Sequence, residues 1–169
     1  MVKDDFYYLI LDMGCTEQFM LRKQDIVSDQ AIIRRIDRMD NLERKDRDGR
    51  TLLINATAYG RSAVVQYLIN IGADAHAKDS AGFTALHAAI LSNDIKTINL
   101  LLEAGVDPNA VNEIGNTPLM ICNLSTDLDV FRVLLLFGAN PTIRNNFGVS
   151  AINKFSSSQA ISDVLSQYR

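Results

Sequence analysis

Gly49, Gly82, Gly115 and Gly148 follow one another at a spacing of 33 residues, and Gly72, Gly105 and Gly138 keep the same spacing. Between them one frame recurs. Thr51, Thr84, Thr117 and Ser150 share a column; so do Leu53, Leu86, Leu119 and Ile152, and so do Ala56, Ala89, Cys122 and Phe155. Further along, Tyr67-Leu68-Ile69, Leu100-Leu101-Leu102 and Val133-Leu134-Leu135 occupy one frame, and no insertion is needed from 46 to 144. One period held over so many columns marks a chain built by copying a single supersecondary unit. One helix pair of this size cannot bury its apolar face alone, so neighbouring copies must stack.

Local signals describe the unit. Each Thr of the column stands just before a Leu/Ala run of helical spacing, where it caps or fixes a helix start. Pro118 takes the first-turn position that a helix tolerates. The first helix carries Leu86 and Ala89 inward, and Ala56, Ala58, Ala88 and Ala89 are small enough to allow close helix packing. A second helix follows, with Val64, Val65, Leu68 and Ile69 on one stripe. It ends at Gly72, Gly105 or Gly138, the residue type that accepts a left-handed position after a helix. A turn with Asp or Asn and Gly then leads to the next copy.

The middle copy reads Asp79-Ser80-Ala81-Gly82-Phe83-Thr84-Ala85-Leu86-His87-Ala88-Ala89 and ends Gly105-Val106-Asp107-Pro108-Asn109-Ala110. In its period and its Thr-x-Leu-His signature it resembles the ankyrin repeat. Asp46-x-x-Gly49-x-Thr51-x-Leu53 and Asn112-x-x-Gly115-x-Thr117-Pro118-Leu119 are close copies, and the resemblance covers residues 44–155. It implies an all-α ankyrin-repeat solenoid of stacked antiparallel helix pairs with short hairpin-like turns, forming one continuous domain. Three regular units are expected at 46–78, 79–111 and 112–144.

Both ends depart from the pattern. Shifting residues 1–45 by one period puts Met20 under Leu53 and Ile36 under Ile69, but Gln18 under Thr51 and Met39 under Gly72. This segment is expected to be an N-terminal helical cap holding a degenerate repeat. Ser28-Asp29-Gln30 reads as a helix start, with Arg34, Arg35 and Arg38 in its last turns. Residues 4–13 read as an extra helix whose Phe6, Tyr7, Leu9 and Ile10 cover the open end of the stack. Residues 145–169 are expected to be a C-terminal capping repeat, with Ser162, Asp163, Ser166, Gln167 and Arg169 on its polar outer face.

Composition removes other classes. In 169 residues the hydrophobic fraction is 47 % and the charged fraction 22 %, which excludes a disordered or collagen-like chain. Lys+Arg is 17 against Asp+Glu 20, a net charge of −3, so the basic footprint of duplex binding is missing. Aromatic residues are 7 % with no Trp, poor material for a single-strand stacking platform. Two cysteines, Cys15 and Cys122, are too few for a disulfide framework and fit a reducing compartment. The longest apolar runs, 6–11 and 133–137, are far too short to span a membrane. Asp4 and Asp5 precede the first run, the wrong charge order for a secretory signal. A cytoplasmic protein is expected.

Residues that could carry chemistry each have a plainer explanation. The resemblance implies that His87 ties neighbouring hairpins together by hydrogen bonds. His76 has no Cys or His at metal-ligand spacing. Cys122 falls in an alanine column and reads as a small core residue. Cys15, in Met13-Gly14-Cys15-Thr16, reads as a helix-junction residue, with an exposed thiol as the alternative. The periodic glycines form no phosphate loop, and Ser156-Ser157-Ser158 lacks the context of a serine nucleophile. No catalytic, cofactor-binding or metal-binding residue is therefore expected, and no cofactor. The cluster Arg44-Lys45-Asp46-Arg47-Asp48-Gly49-Arg50 is either a patch for an acidic partner or a solvated hairpin with self-compensating charges.

The resemblance implies binding of a partner protein through hairpin tips and the exposed side of the first helices. The candidate contacts are Arg47, Arg50, Tyr59, Phe83, Leu91, Ile114, Leu124 and Phe147. Leu91 and Leu124 lie one period apart and form an apolar strip, with Ile114 and Phe147 above it at adjacent tips. Two plainer readings stand beside these: Phe83 as a scaffold residue, and Phe147 as covered by the shortened last unit. The expected function is a non-enzymatic interaction module for another protein, a monomer when unbound, with an inhibitor or immunity protein of a toxin or enzyme as its narrower form. The alternative is a small enzyme or ligand-binding protein with a pocket near the N-terminal segment.

Overall fold

The structure is a computed structural model that describes residues 28–123 and 128–166. Within them the chain alternates short and longer helices. A lone helix, α1 (Asp29–Ile36), is followed by four pairs: α2 (Leu52–Ala58) with α3 (Ser62–Asn70), α4 (Ala85–Leu91) with α5 (Ile95–Glu103), α6 (Pro118–Ile121) with α7 (Leu128–Leu136), and α8 (Ala151–Lys154) with α9 (Gln159–Ser166). The first helices α2, α4, α6 and α8 pack side by side in one row. The second helices α1, α3, α5, α7 and α9 form the other row. Among the described residues there is no strand, only an isolated antiparallel bridge between Arg144 and Ser150. Over the described residues the chain is thus an all-α solenoid of stacked antiparallel helix pairs, the architecture that the resemblance implied.

The core lies between the rows and repeats with the sequence. Leu53, Leu86 and Leu119 fill it from the first helices; Val65, Ile98 and Phe131, then Leu68, Leu101 and Leu134, fill it from the second. All nine are buried, and each contributes about 2 kcal/mol of apolar transfer free energy. The core closes at the C-terminal end on Phe155, whose ring meets Phe131 edge-on at 5.2 Å. At the other end Ile32 and Ile36 of α1 are buried against α3. The helix expected after Ser28 is present, and the Ser28 side chain accepts from the Ala31 amide. The extra helix expected at 4–13, Cys15 and the earlier part of the degenerate repeat lie outside the described residues.

The capping column holds with one correction. Thr51, Thr84 and Ser150 accept from the amides of Ile54, His87 and Asn153. Thr117 makes no side-chain cap. The Met120 amide that it would receive is taken at 2.9 Å by the Thr117 backbone carbonyl, a tighter first turn. α6 also ends three residues short of α2 and α4, because Cys122 turns extended at φ −50° and ψ 151°. The carbonyls freed there are closed from the next unit: Lys154 Nζ donates to the Met120 carbonyl and, at 2.7 Å, to that of Cys122.

Each hairpin tip is held by one side chain. Asp46 Oδ1 accepts from the amides of Asp48 and Arg50, and Asp79 Oδ1 from those of Ala81 and Phe83. Asn112 and Asn145 do the same for Ile114 with Asn116 and for Phe147 with Val149. Successive tips are then joined by one backbone bond each: Ser80 N–H to the Asp48 carbonyl at 2.9 Å, Glu113 N–H to Ala81 at 3.1 Å, and Asn146 N–H to Ile114 at 3.1 Å. Gly82 shows why the period demands glycine. Its φ is +77°, and a Cβ there would stand 2.8 Å from the Glu113 amide nitrogen of the next tip.

Candidate protein-binding surface

Three of the anticipated contacts are large apolar side chains that the fold leaves open. Phe147 is 76 % exposed at the last tip, Ile114 is 47 % exposed at the tip before it, and Leu91 is 64 % exposed at the end of α4. Phe147 and Ile114 are neighbours through the Asn146–Ile114 backbone bond. Leu91 stands at the far end of a seven-residue helix, about 10 Å along its axis from the tip side. Leu124 lies outside the described residues, and α6 stops at Ile121 before reaching it. The last unit does not cover Phe147.

The other candidates are placed differently. Arg47 is exposed at the first tip. Arg50 is half-buried and faces two carboxylates, Asp79 at 3.7 Å and Asp48 at 3.9 Å. Lys45 Nζ donates to the Lys78 carbonyl, and Lys78 Nζ to that of Val111. Lys45 and Arg50 of the basic cluster therefore stitch tips together, while Arg47 is presented at the first tip. Phe83 is half-buried with its ring 5.3 Å from the His87 ring, a scaffold contact. Tyr59 needs correction: it ends α2 half-buried against the core, its hydroxyl inside.

Sequence reasoning passed over some exposed and functional groups. Leu136 is 77 % exposed at the end of α7, where the same column holds Asn70 and Glu103. Lys154, the residue that closes α6, sits in a column of Asn55, Ala88 and Ile121, so that the lysine is the visible anomaly.

The buried chemistry is scaffold chemistry. His87 Nδ1 accepts from the Thr84 amide at 3.1 Å, which places the ring proton on Nε2, donating to the Asn116 carbonyl at 3.3 Å. One imidazole thus fixes the start of α4 and ties it to the following unit. Its burial pushes the pKa down to about 4, so the ring is neutral. With both nitrogens committed, it has none to offer a substrate. Burial likewise pushes the Cys122 thiol up to about 12, with the Lys154 charge acting the other way. A thiol held protonated in the core is no nucleophile. Desolvation lowers the Lys154 pKa.

Among the described residues no group of three or more His, Cys, Asp and Glu side chains could hold a metal ion. None of the helices among them is long and apolar enough to cross a membrane. The alternative pocket beside the N-terminal segment falls largely on residues outside the described ones.

Comparison with known proteins agrees with the geometry. A family model for ankyrin repeats in three copies matches residues 20–112, and one for a single ankyrin repeat matches residues 114–146. The first match begins inside the segment read from its sequence as a degenerate cap. Comparison with curated proteins gives no match. Repeat period, paired helix rows, linked hairpin tips and matched spans converge: the chain belongs to the ankyrin-repeat family.

Proposed function

We propose that the chain is a non-enzymatic interaction module that binds one partner protein through its hairpin tips and the exposed side of its first helices. Ankyrin repeats generally mediate protein–protein interaction. The observation that carries the reading here is the exposure of Phe147, Ile114 and Leu91 at places where the scaffold asks for no large apolar group. Such side chains are the usual anchors of an interface. Arg47 adds a charge at the first tip that steers an acidic partner and sets its register. Arg50, Tyr59 and Phe83 support the surface from beneath. Leu124, one period after Leu91 in the sequence, is proposed as a further contact. In this reading residues 1–45 and 145–169 are caps on the three regular units, and the unbound chain is a cytoplasmic monomer.

The narrower form is an inhibitor or immunity-type protein that occludes a single enzyme or toxin. Adding the chain in equimolar amount to its captured partner then abolishes that partner's activity; undiminished activity in the complex removes the inhibitory role.

The test of the interface is the double change Leu91→Asp with Leu124→Asp. It is expected to abolish capture of the partner by immobilised chain and leave the helical spectrum intact, since Leu91 lies outside the core. Undiminished capture would move the interface to the second-helix row or the N-terminal segment.

A further inference from the structure

The tips form a ladder with a direction. In each step an amide of the later tip donates to a carbonyl of the earlier one, from Ser80 to Asp48, from Glu113 to Ala81 and from Asn146 to Ile114. One period further on, the acceptor in register is the Phe147 carbonyl, and it has no partner among the described residues. The same step is open sterically. A Cβ on Gly82 or Gly115 would meet the next tip within 3 Å, whereas Gly148, at φ +74°, has nothing within 4 Å. The last tip is nonetheless fully formed, because Asn145 holds the amides of Phe147 and Val149. Phe147 and Ile114 stand exposed beside the open carbonyl.

Resting on the protein-binding reading above, we propose that this edge docks a turn segment of the partner protein. That segment lays one backbone N–H on the Phe147 carbonyl, packs over Gly148, and sets an apolar side chain against Phe147. The occupant follows from continuity with the three tip contacts that the chain already makes. A further helix pair is disfavoured, because α8, α9 and the turn between them present exposed polar Ser156, Ser157, Gln159 and Asp163. A symmetric pairing of two copies is disfavoured too, since it would set carbonyl against carbonyl.

The test uses the full chain, labelled with nitrogen-15, and a cyclic peptide carrying its own residues 110–118 as probe. In the chain, Glu113 of that segment already makes the equivalent bond to Ala81. Millimolar peptide is expected to shift the amides of Gly148 and Val149 and leave Gly82, already covered, unmoved. Gly148→Asn adds a side chain where the edge is empty, in a conformation that asparagine tolerates. It is expected to weaken the peptide at least tenfold without changing the melt. Should that variant melt early, Phe147→Ser, at an exposed side chain, carries the same tenfold expectation. Unmoved Gly148 and Val149 amides, or full affinity in the folded variant, overturns the proposal. The Leu91 and Leu124 double change leaves this titration untouched, so failure here and failure of the concave-face reading are separable.

Discussion

His87 is the point at which one side chain couples two repeats, and its replacement by alanine has a calculable cost. The Thr84 amide is buried and loses its only side-chain acceptor, worth about 1–2 kcal/mol. The Asn116 carbonyl loses one of two donors, keeps the Asn112 amide and is half-exposed, so that loss costs little. The space vacated by a fully buried ring adds about 1–2 kcal/mol. The total of about 3 kcal/mol corresponds to a melting temperature lower by roughly 6–12 °C in a chain of this size. Because the lost bond crosses between units, the transition is also expected to broaden as the halves uncouple.

The same residue predicts a pH effect with a definite sign. Folded His87 titrates at about 4, unfolded histidine near 6.5. Between those values the unfolded chain binds the extra proton, so stability is fully present above about pH 6.5 and is lost as the pH falls towards 4. By about pH 4.5 the loss is about 2–3 kcal/mol. His87→Gln keeps an acceptor and a donor but no titration, so its loss between neutral and acid pH should be smaller than the wild type's by that amount. Denaturant melts followed by circular dichroism at both pH values decide the matter. An alanine variant that melts like the wild type, or a glutamine variant that loses as much stability in acid, would refute the reasoning.

Gly82→Ala forces both a left-handed alanine and a Cβ against the Glu113 amide, and should cost at least about 2 kcal/mol in denaturant melts. Thr117→Val replaces a buried hydroxyl that has no hydrogen-bond partner among the described residues, and should leave stability unchanged or raise it by up to about 1 kcal/mol. Thr84→Val, whose hydroxyl caps α4, should instead cost about 1–2 kcal/mol in the same assay. Lys154→Met leaves the Met120 and Cys122 carbonyls without their donor, and should cost about 1–2 kcal/mol, with amide exchange rising first across 118–123.

The fold was readable because a solenoid's tertiary contacts share the period of its sequence. Leu53, Leu86 and Leu119 touch the same neighbours in successive units, so a column in the sequence is a row in the core. What broke the period was not readable. α6 ends early and Lys154 closes it from a position 33 residues after Ile121, and no local propensity announces that pairing. Tyr59 looked like a surface residue by its column, yet packing drew it down. Exposure at Phe147 depends on how little of the last unit reaches past its tip, which period alone does not measure.

Lys154 gives the array a mechanical consequence. Its ammonium is a rivet from α8 into the end of α6, so the last two pairs are fastened at their first helices as well as at their tips. If a tether draws the chain from its C-terminal end, α9 peels first, but the load then passes through that rivet into the third unit. The last two units should therefore rip as one, releasing a length near 200 Å, about twice that of a single repeat.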